Sequence, residues 1–146
     1  MLAQAILPTN LPAEREVLGA VIEDEALLAV IVECGLSAED FSLSDHQQVF
    51  RTILSLHEKQ CGIDHITVAD ALGNSAESYV LVSSLVQGVV LHEGHVLDHV
   101  RIVLRKSQLR KLLKLAEWIT TQATETAEPN ALIEAILRKV NACRIK

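Results

Sequence analysis

Three histidines offer the most specific chemistry in this sequence. His92, His95 and His99 are three and four residues apart, with Asp98 beside the last of them. On an α-helix those spacings share one face. Neutral imidazole is a common zinc ligand, so the trio could supply three of the four positions of a zinc site. The plainer reading is a solvated polar stripe at the start of a helix, with His92 just ahead of it, and on that reading no metal is expected. His46 and His57 stand alone and read as edge or capping residues.

A basic run follows, Arg101, Arg105, Lys106, Arg110, Lys111 and Lys114, with no acid among them. Arg101, Arg105 and Lys111 could align with nucleic-acid phosphates. No aromatic residue interleaves, so a stacking platform for single strands is missing. Pairing with an acidic protein surface, such as the first hundred residues of a neighbouring subunit, is the more economical use. Trp118, the single tryptophan, falls in register with Leu115 and Ile119 as hairpin core or interface anchor.

Catalytic groups are harder to find. Glu14, Glu16, Glu23, Asp24 and Glu25 sit near predicted helix starts, where the helix dipole favours carboxylates. The chain has no nucleophile elbow or Ser/His/Asp arrangement. It also lacks the G-x-x-x-x-G-K-[ST] loop that cradles a nucleotide. An enzyme in its own right is therefore not expected. Cys34, Cys61 and Cys143 are odd in number, widely spaced and outside any CxxC pattern. They predict neither a disulfide framework nor a zinc ribbon, and point to a reducing cytoplasm.

The elements that would position these residues are helical. With 146 residues and 49% hydrophobic content the chain can bury one core without staples. Its longest apolar runs fall short of the roughly 18 residues that span a bilayer. The apolar opening Leu2 to Leu7 lacks a positive flank, so a secretory signal is not expected. The net charge of −6 is segregated: residues 1–100 hold 3 basic and 15 acidic side chains, residues 101–146 hold 10 and 4. Two subregions with different surfaces follow from that split.

Apolar residues recur at three and four along the whole chain, and alternation with period two is absent. Leu11, Val17, Leu18, Val21 and Ile22 predict a first helix, capped by Asn10 with Pro12 in its first turn. Gly19 inside it costs about 1 kcal/mol relative to alanine, a cost that suggests close approach by another helix. A second helix is predicted from Glu25 to Cys34, stopped at Gly35, then a capped turn at Ser37 to Asp40. Ser44 to Gln47 reads as a capping box opening a third helix that carries Val49, Phe50, Ile53, Leu54 and Leu56 and ends at Cys61-Gly62. Thr67 to Asp70 repeats that capping logic, and a short helix over 78–87 completes the cluster. Beyond it, one helix of roughly eight turns is predicted from Glu93 to Thr124, then a turn at Thr126 to Pro129 and a returning helix to Arg144. Such a hairpin cannot bury both its apolar faces alone. It needs a partner.

Four stretches resemble one family. Asn10-Leu-Pro-Ala-Glu14-Arg-Glu-Val-Leu-Gly19-Ala is similar to the opening of the N-terminal domain of DnaB-type replicative helicases, approximately N/S-x-E-A-E-Q-x-V-L-G-A. Glu39-Asp40-Phe41 and His46-Gln-Gln-Val-Phe50 resemble its E-D-F-Y and H-x-x-I-F. Gly62-Ile63-Asp64 through Thr67 to Leu72 resembles P-I-D-x-x-T-L-A-x-x-L. His99-Val-Arg101-Ile-Val103 through Leu112 resembles Y-A-R-I-V-R-E-x-x-x-L-R-x-L. The four occur in the family's order over residues 8–143. The chain departs from the pattern where Ser75 to Tyr79 lacks the usual Gly-Gly pair and Gln87 to Leu91 lacks an Asn-Val-Pro-like segment.

The resemblance implies an all-α fold: a compact multi-helix globular subdomain over residues 8–88, then a long antiparallel helical hairpin over 89–146. It implies hairpins that pair between subunits, three such dimers around a ring, and a collar that docks primase and possibly a helicase loader, with DNA touched only indirectly. ATP and magnesium would belong to a motor domain absent from this chain, which is then either cut from a longer helicase or encoded alone. The interface is expected to be carried by Val96, Val100, Val103, Leu112, Leu115 and Ile133, so that Val103→Asp separates the dimer and spares the helices. The rivals are a nucleic-acid-binding module using the basic helix 101–114, and the helicase-binding region of a primase. The stretch Ala13-Glu14-x-x-Val-Leu-Gly19 favours the helicase side.

Overall fold

The computed structural model describes residues 6–89 and 92–145. Most of the apolar opening Leu2 to Leu7, and the last two residues of Gln87 to Leu91, lie outside them. Among the described residues there are seven α-helices, one 3-10 turn and no strand. The helices are α1 (Leu11–Glu23), α2 (Leu27–Glu33), α3 (Ser44–Glu58), α4 (His65–Ala71), α5 (Ala76–Val86), α6 (Glu93–Glu125) and α7 (Pro129–Ala142); the 3-10 turn is Ala38–Asp40. The all-helical expectation holds. No described helix is long and apolar enough to cross a membrane.

Local chemistry explains most boundaries. The Asn10 side chain accepts from the Ala13 amide at 3.0 Å, and Pro12 occupies the first turn of α1, as the capping pattern predicts. Gly35, with φ at +87°, ends α2 where a side chain would be strained. Two predicted caps fall elsewhere. Leu43, not Ser44, caps α3, and the Gln47 side chain donates through Nε2 to the Phe41 carbonyl at 2.8 Å. For α4 the cap is Asp64, whose carboxylate accepts from the Ile66 and Thr67 amides; Thr67 returns a hydrogen bond to the Asp64 amide, so it closes the box rather than opening it. The shifts are one residue at α3 and three at α4, where Thr67 stands both at the end of Asp64-x-x-Thr67 and at the start of Thr67-x-x-Asp70.

α1 is the hub and packs against α2, α3, α4, α5 and α6. Eight of its thirteen residues are buried, among them Val17, Leu18, Ala20, Val21 and Ile22. Gly19 is where α5 ends against it: a Cβ there would collide with the Leu85 carbonyl and the Val89 side chain. The close approach inferred from this glycine is real. Phe41 and Phe50 fill the other side, their rings 5.2 Å apart and tilted.

The core does not stop at residue 89. Val96, Val100, Val103 and Leu104 from the first half of α6 belong to the same buried cluster as α1 and α3. Buried packing therefore runs into α6 as far as Leu104, past the division into 8–88 and 89–146 expected from the sequence. α7 packs against α6 alone.

Two outcomes follow. Gly19→Ala forces a methyl into backbone rather than a flexible side chain, and should lower stability by about 1–3 kcal/mol in urea unfolding. Val103→Asp places a carboxylate at a site 2% exposed; circular dichroism should show loss of the fold, not a helical monomer.

Candidate interaction surface

Two polar clamps fix the body, and the second of them also sets where the hairpin leaves it. The first is the Glu14 carboxylate, 1% exposed on α1. It accepts from the Ser42 amide at 3.0 and 3.1 Å, from the Ser42 hydroxyl at 2.6 Å and from His46 Nδ1 at 2.9 Å. A serine, a histidine and an acid thus meet, but the hydroxyl donates to the carboxylate and not to the imidazole. The histidine cannot act on that hydroxyl as a general base, so this is a lock on the Phe41–His46 segment and not a nucleophile. Burial pushes the Glu14 carboxyl up; the hydrogen bonds from His46 and Ser42 outweigh it and hold the group below its ordinary value.

The second clamp is Asp40. Its Oδ2 accepts from the Ser37 amide and hydroxyl at 2.9 and 3.1 Å, closing the 3-10 turn. Its Oδ1 accepts from the Ser107 hydroxyl at 2.6 Å and from Lys111 Nζ at 3.3 Å. Its backbone carbonyl accepts from Arg110 at 2.6 Å, while the same guanidinium donates to the Pro8 carbonyl at 2.8 Å. Among the described residues no buried side-chain nitrogen or oxygen lacks a partner. The acid expected to meet the basic helix from a neighbouring subunit is, at Lys111, supplied by the chain's own Asp40, and Arg110 is held by two backbone carbonyls. Arg101 is likewise paired, with Asp98 at 2.9 Å. The basic run is thereby divided between internal clamps and solvent, and does not form one phosphate-tracking stripe.

The histidine trio is not gathered. His92 is the N-cap residue of α6, ahead of its first turn. Its ring lies 4.7 Å from that of His95, and no group of three potential ligands assembles among the described residues. The thiols of Cys34, Cys61 and Cys143 are all free.

The six expected interface residues separate into two sets. Val96, Val100 and Val103 are core and offer no surface to a second molecule, and Leu115 is buried at the hairpin seam. The reason is geometric: the stripe that begins at Val96 faces α1, because α6 lies across the body. Leu112 and Ile133 are exposed, Ile133 by 52%. Beside them sequence reasoning missed Leu109, Leu137 and Val140, also exposed. None of the fourteen residues of α7 is buried. Leu132, Ala135 and Ile136 are half-covered, whereas Ile133, Leu137 and Val140 form a stripe about a third of a turn away. A signal for this was present: five apolar residues of α7 span an arc too wide for one neighbouring helix.

On the seam itself Lys139 lies 4.6 Å over the Trp118 ring. Trp118 is therefore held between the two helices of the hairpin.

Comparison with known proteins adds the following. A family model described as DnaB-like helicase N terminal domain matches residues 6–105. The replicative DNA helicase DnaB of Treponema pallidum is 33% identical over 140 residues, which is 92% of this chain and 32% of that protein. DnaB of Geobacillus stearothermophilus is 31% identical over 145 residues, 96% of this chain and 32% of that protein. The chain spans about a third of the length of these relatives. Among solved structures, the N-terminal domain of DnaB helicase from Mycobacterium tuberculosis superposes with a TM-score of 0.82 at 23% identity, covering 94% of this chain and 99% of that one. A DnaB-like replicative helicase, described with its interactions with primase, superposes at 0.79 and 24% identity, over 92% of this chain and 32% of that one.

The Glu14 lock carries a testable sign. A carboxyl held below its ordinary value of 4.5 contributes stability above that pH, and the contribution is lost as pH falls through it toward the lowered native value. Glu14→Gln sets an amide donor against other donors and should destabilise by about 1–3 kcal/mol near neutrality. The variant should also lose less stability than the wild type between about pH 6 and about pH 3 in urea titrations.

Proposed function

This chain belongs to the DnaB-like helicase N-terminal domain family, and on that premise we propose that it acts as the non-catalytic N-terminal domain of a replicative DNA helicase, mediating self-association and docking primase during DNA replication. One observation carries the reading. The hairpin keeps two apolar sets that the chain's own body leaves open, Ile133, Leu137 and Val140 along one face of α7 and Leu109 and Leu112 on α6. Apolar side chains left exposed along one helix face mark a site for another macromolecule, and a helix with no buried residue gains its core only from a partner.

In this reading Leu112 and Ile133 keep the interface role expected from the sequence, and Leu109, Leu137 and Val140 join them. Dimers formed through hairpins would associate three to a ring in the cytoplasm, and primase would dock on that collar. A loader is a further candidate partner. The chain would need no cofactor; ATP and magnesium would serve a motor elsewhere in the helicase. The relative described with primase supports the partner by family likeness. Direct DNA binding is the weaker reading, because Arg110 and Lys111 are committed to Asp40 and Arg101 to Asp98.

Leu137→Asp separates association from folding. Leu137 is 53% exposed, so the change should alter stability by no more than about 0.5 kcal/mol. Light scattering at tens of micromolar should show a dimer for the wild type and a monomer for the variant, with equal helicity by circular dichroism. A wild-type monomer at that concentration overturns the association. Isothermal titration with the C-terminal helicase-binding region of the cognate primase tests docking, and no binding by the wild-type dimer overturns it.

A further inference from the structure

The seam of the hairpin is a different feature from its apolar stripe. Between the second half of α6 and the end of α7 lies a cleft of about 320 Å³, lined by Lys111, Lys114, Leu115, Trp118, Lys139, Ala142 and Cys143. Its floor is apolar, and every charged group on its wall is a lysine. Lys111 is paired with Asp40 at 3.3 Å. Lys114 and Lys139 make no ion pair among the described residues. Lys139 is held against the floor by the Trp118 ring, at 4.6 Å.

From this geometry we infer that the cleft is a docking site for an acidic peptide segment of a partner protein, one large apolar side chain entering against Trp118 and Leu115 while flanking carboxylates pair with Lys114 and Lys139. The volume is at the small end of ligand-sized pockets and takes one such anchor rather than a folded surface. Charge complementarity identifies the occupant. Residues 101–146 carry 10 basic and 4 acidic side chains, and no acid lines the cleft. A nucleic acid fits less well: one ring already capped by a lysine gives successive bases nothing to stack on. The seam residues lie about a third of a turn round α7 from Ile133, Leu137 and Val140, so a cleft and a dimer interface can coexist on one helix. The inference rests on the reading of the hairpin as a partner surface, and names the chemistry of one partner.

Trp118 is the single tryptophan, and its emission reports the cleft directly. The full chain is titrated with a capped peptide of about a dozen residues built from Glu, Asp and Leu, at low and at moderate salt. A saturable change in Trp118 emission is expected, with affinity falling at least about tenfold between the two salts and at least about tenfold in Lys114→Glu/Lys139→Glu. The charge-matched control Arg105→Glu/Arg138→Glu, whose residues do not line the cleft, should stay within about twofold of the wild type. Circular dichroism and light scattering on both double variants establish that folding and association are intact. Those scattering data also separate a failed dimer reading from a failed cleft, because each gives its own signal. No saturable change up to millimolar peptide overturns the inference. So does equal weakening by the control, which indicates only a diffuse positive field, or tighter binding of an oligothymidylate than of the peptide.

Discussion

α6 is longer than the body it packs on. Its 33 residues make a rod of roughly 50 Å, and the cluster formed by the first ninety residues covers only the first half. Apolar burial on the core side runs through Val96, Val100, Val103 and Leu104. Beyond Leu115 no residue of α6 is buried. A rod that outruns its core must end its apolar seam with polar anchoring or fray. Here Ser107, Arg110 and Lys111 provide that anchoring on Asp40, one to two turns after Leu104.

The clamp's position decides everything distal to it. Arg110 ties the Asp40 carbonyl and the Pro8 carbonyl to a single guanidinium, so the 3-10 turn, the entry segment and α6 are fixed together. A planar fork with several donors can hold two carbonyls at once, which a lysine ammonium does with less directional control. Past this point α7 has only α6 to pack on. The hairpin is consequently rigid at its base and apolar along its flank, which is the combination an assembly surface requires: the flank has something to bury and the base defines how the partner is oriented.

Three of the four stretches that carry the family likeness contribute to these clamps. Glu14 meets His46 through hydrogen bonds, Asp40 meets Arg110 and Lys111, and Phe41 stacks near Phe50. The polar pairs join residues about thirty to seventy positions apart, and among the described residues no buried side-chain nitrogen or oxygen is left without a partner. Such groups tolerate little change because an unpaired buried donor or carboxylate is expensive. The exposed stripe on α7 has no motif at all. Its requirement is only apolar area at a given spacing, which leucine, isoleucine and valine meet interchangeably.

That difference explains what could be read in advance. Periodicity at three and four, with Asn10, Gly35 and Cys61-Gly62 as punctuation, determined an all-helical chain ending in a hairpin, because helix formation is governed by neighbours within one or two turns. Gly19 announced a close contact for the same local reason, a residue whose presence is unfavourable unless something needs the space. The sequence could not decide which apolar face of α6 turns inward. Val96, Val100 and Val103 and the true flank at Leu109 and Leu112 are equally apolar, and only the crossing of α6 over α1 assigns one set to the core. Nor could it reveal that Glu14, Asp40 and Arg110 are interior groups. Their partners lie far along the chain, and a buried charge is stabilised by three-dimensional neighbours that no short-range pattern encodes.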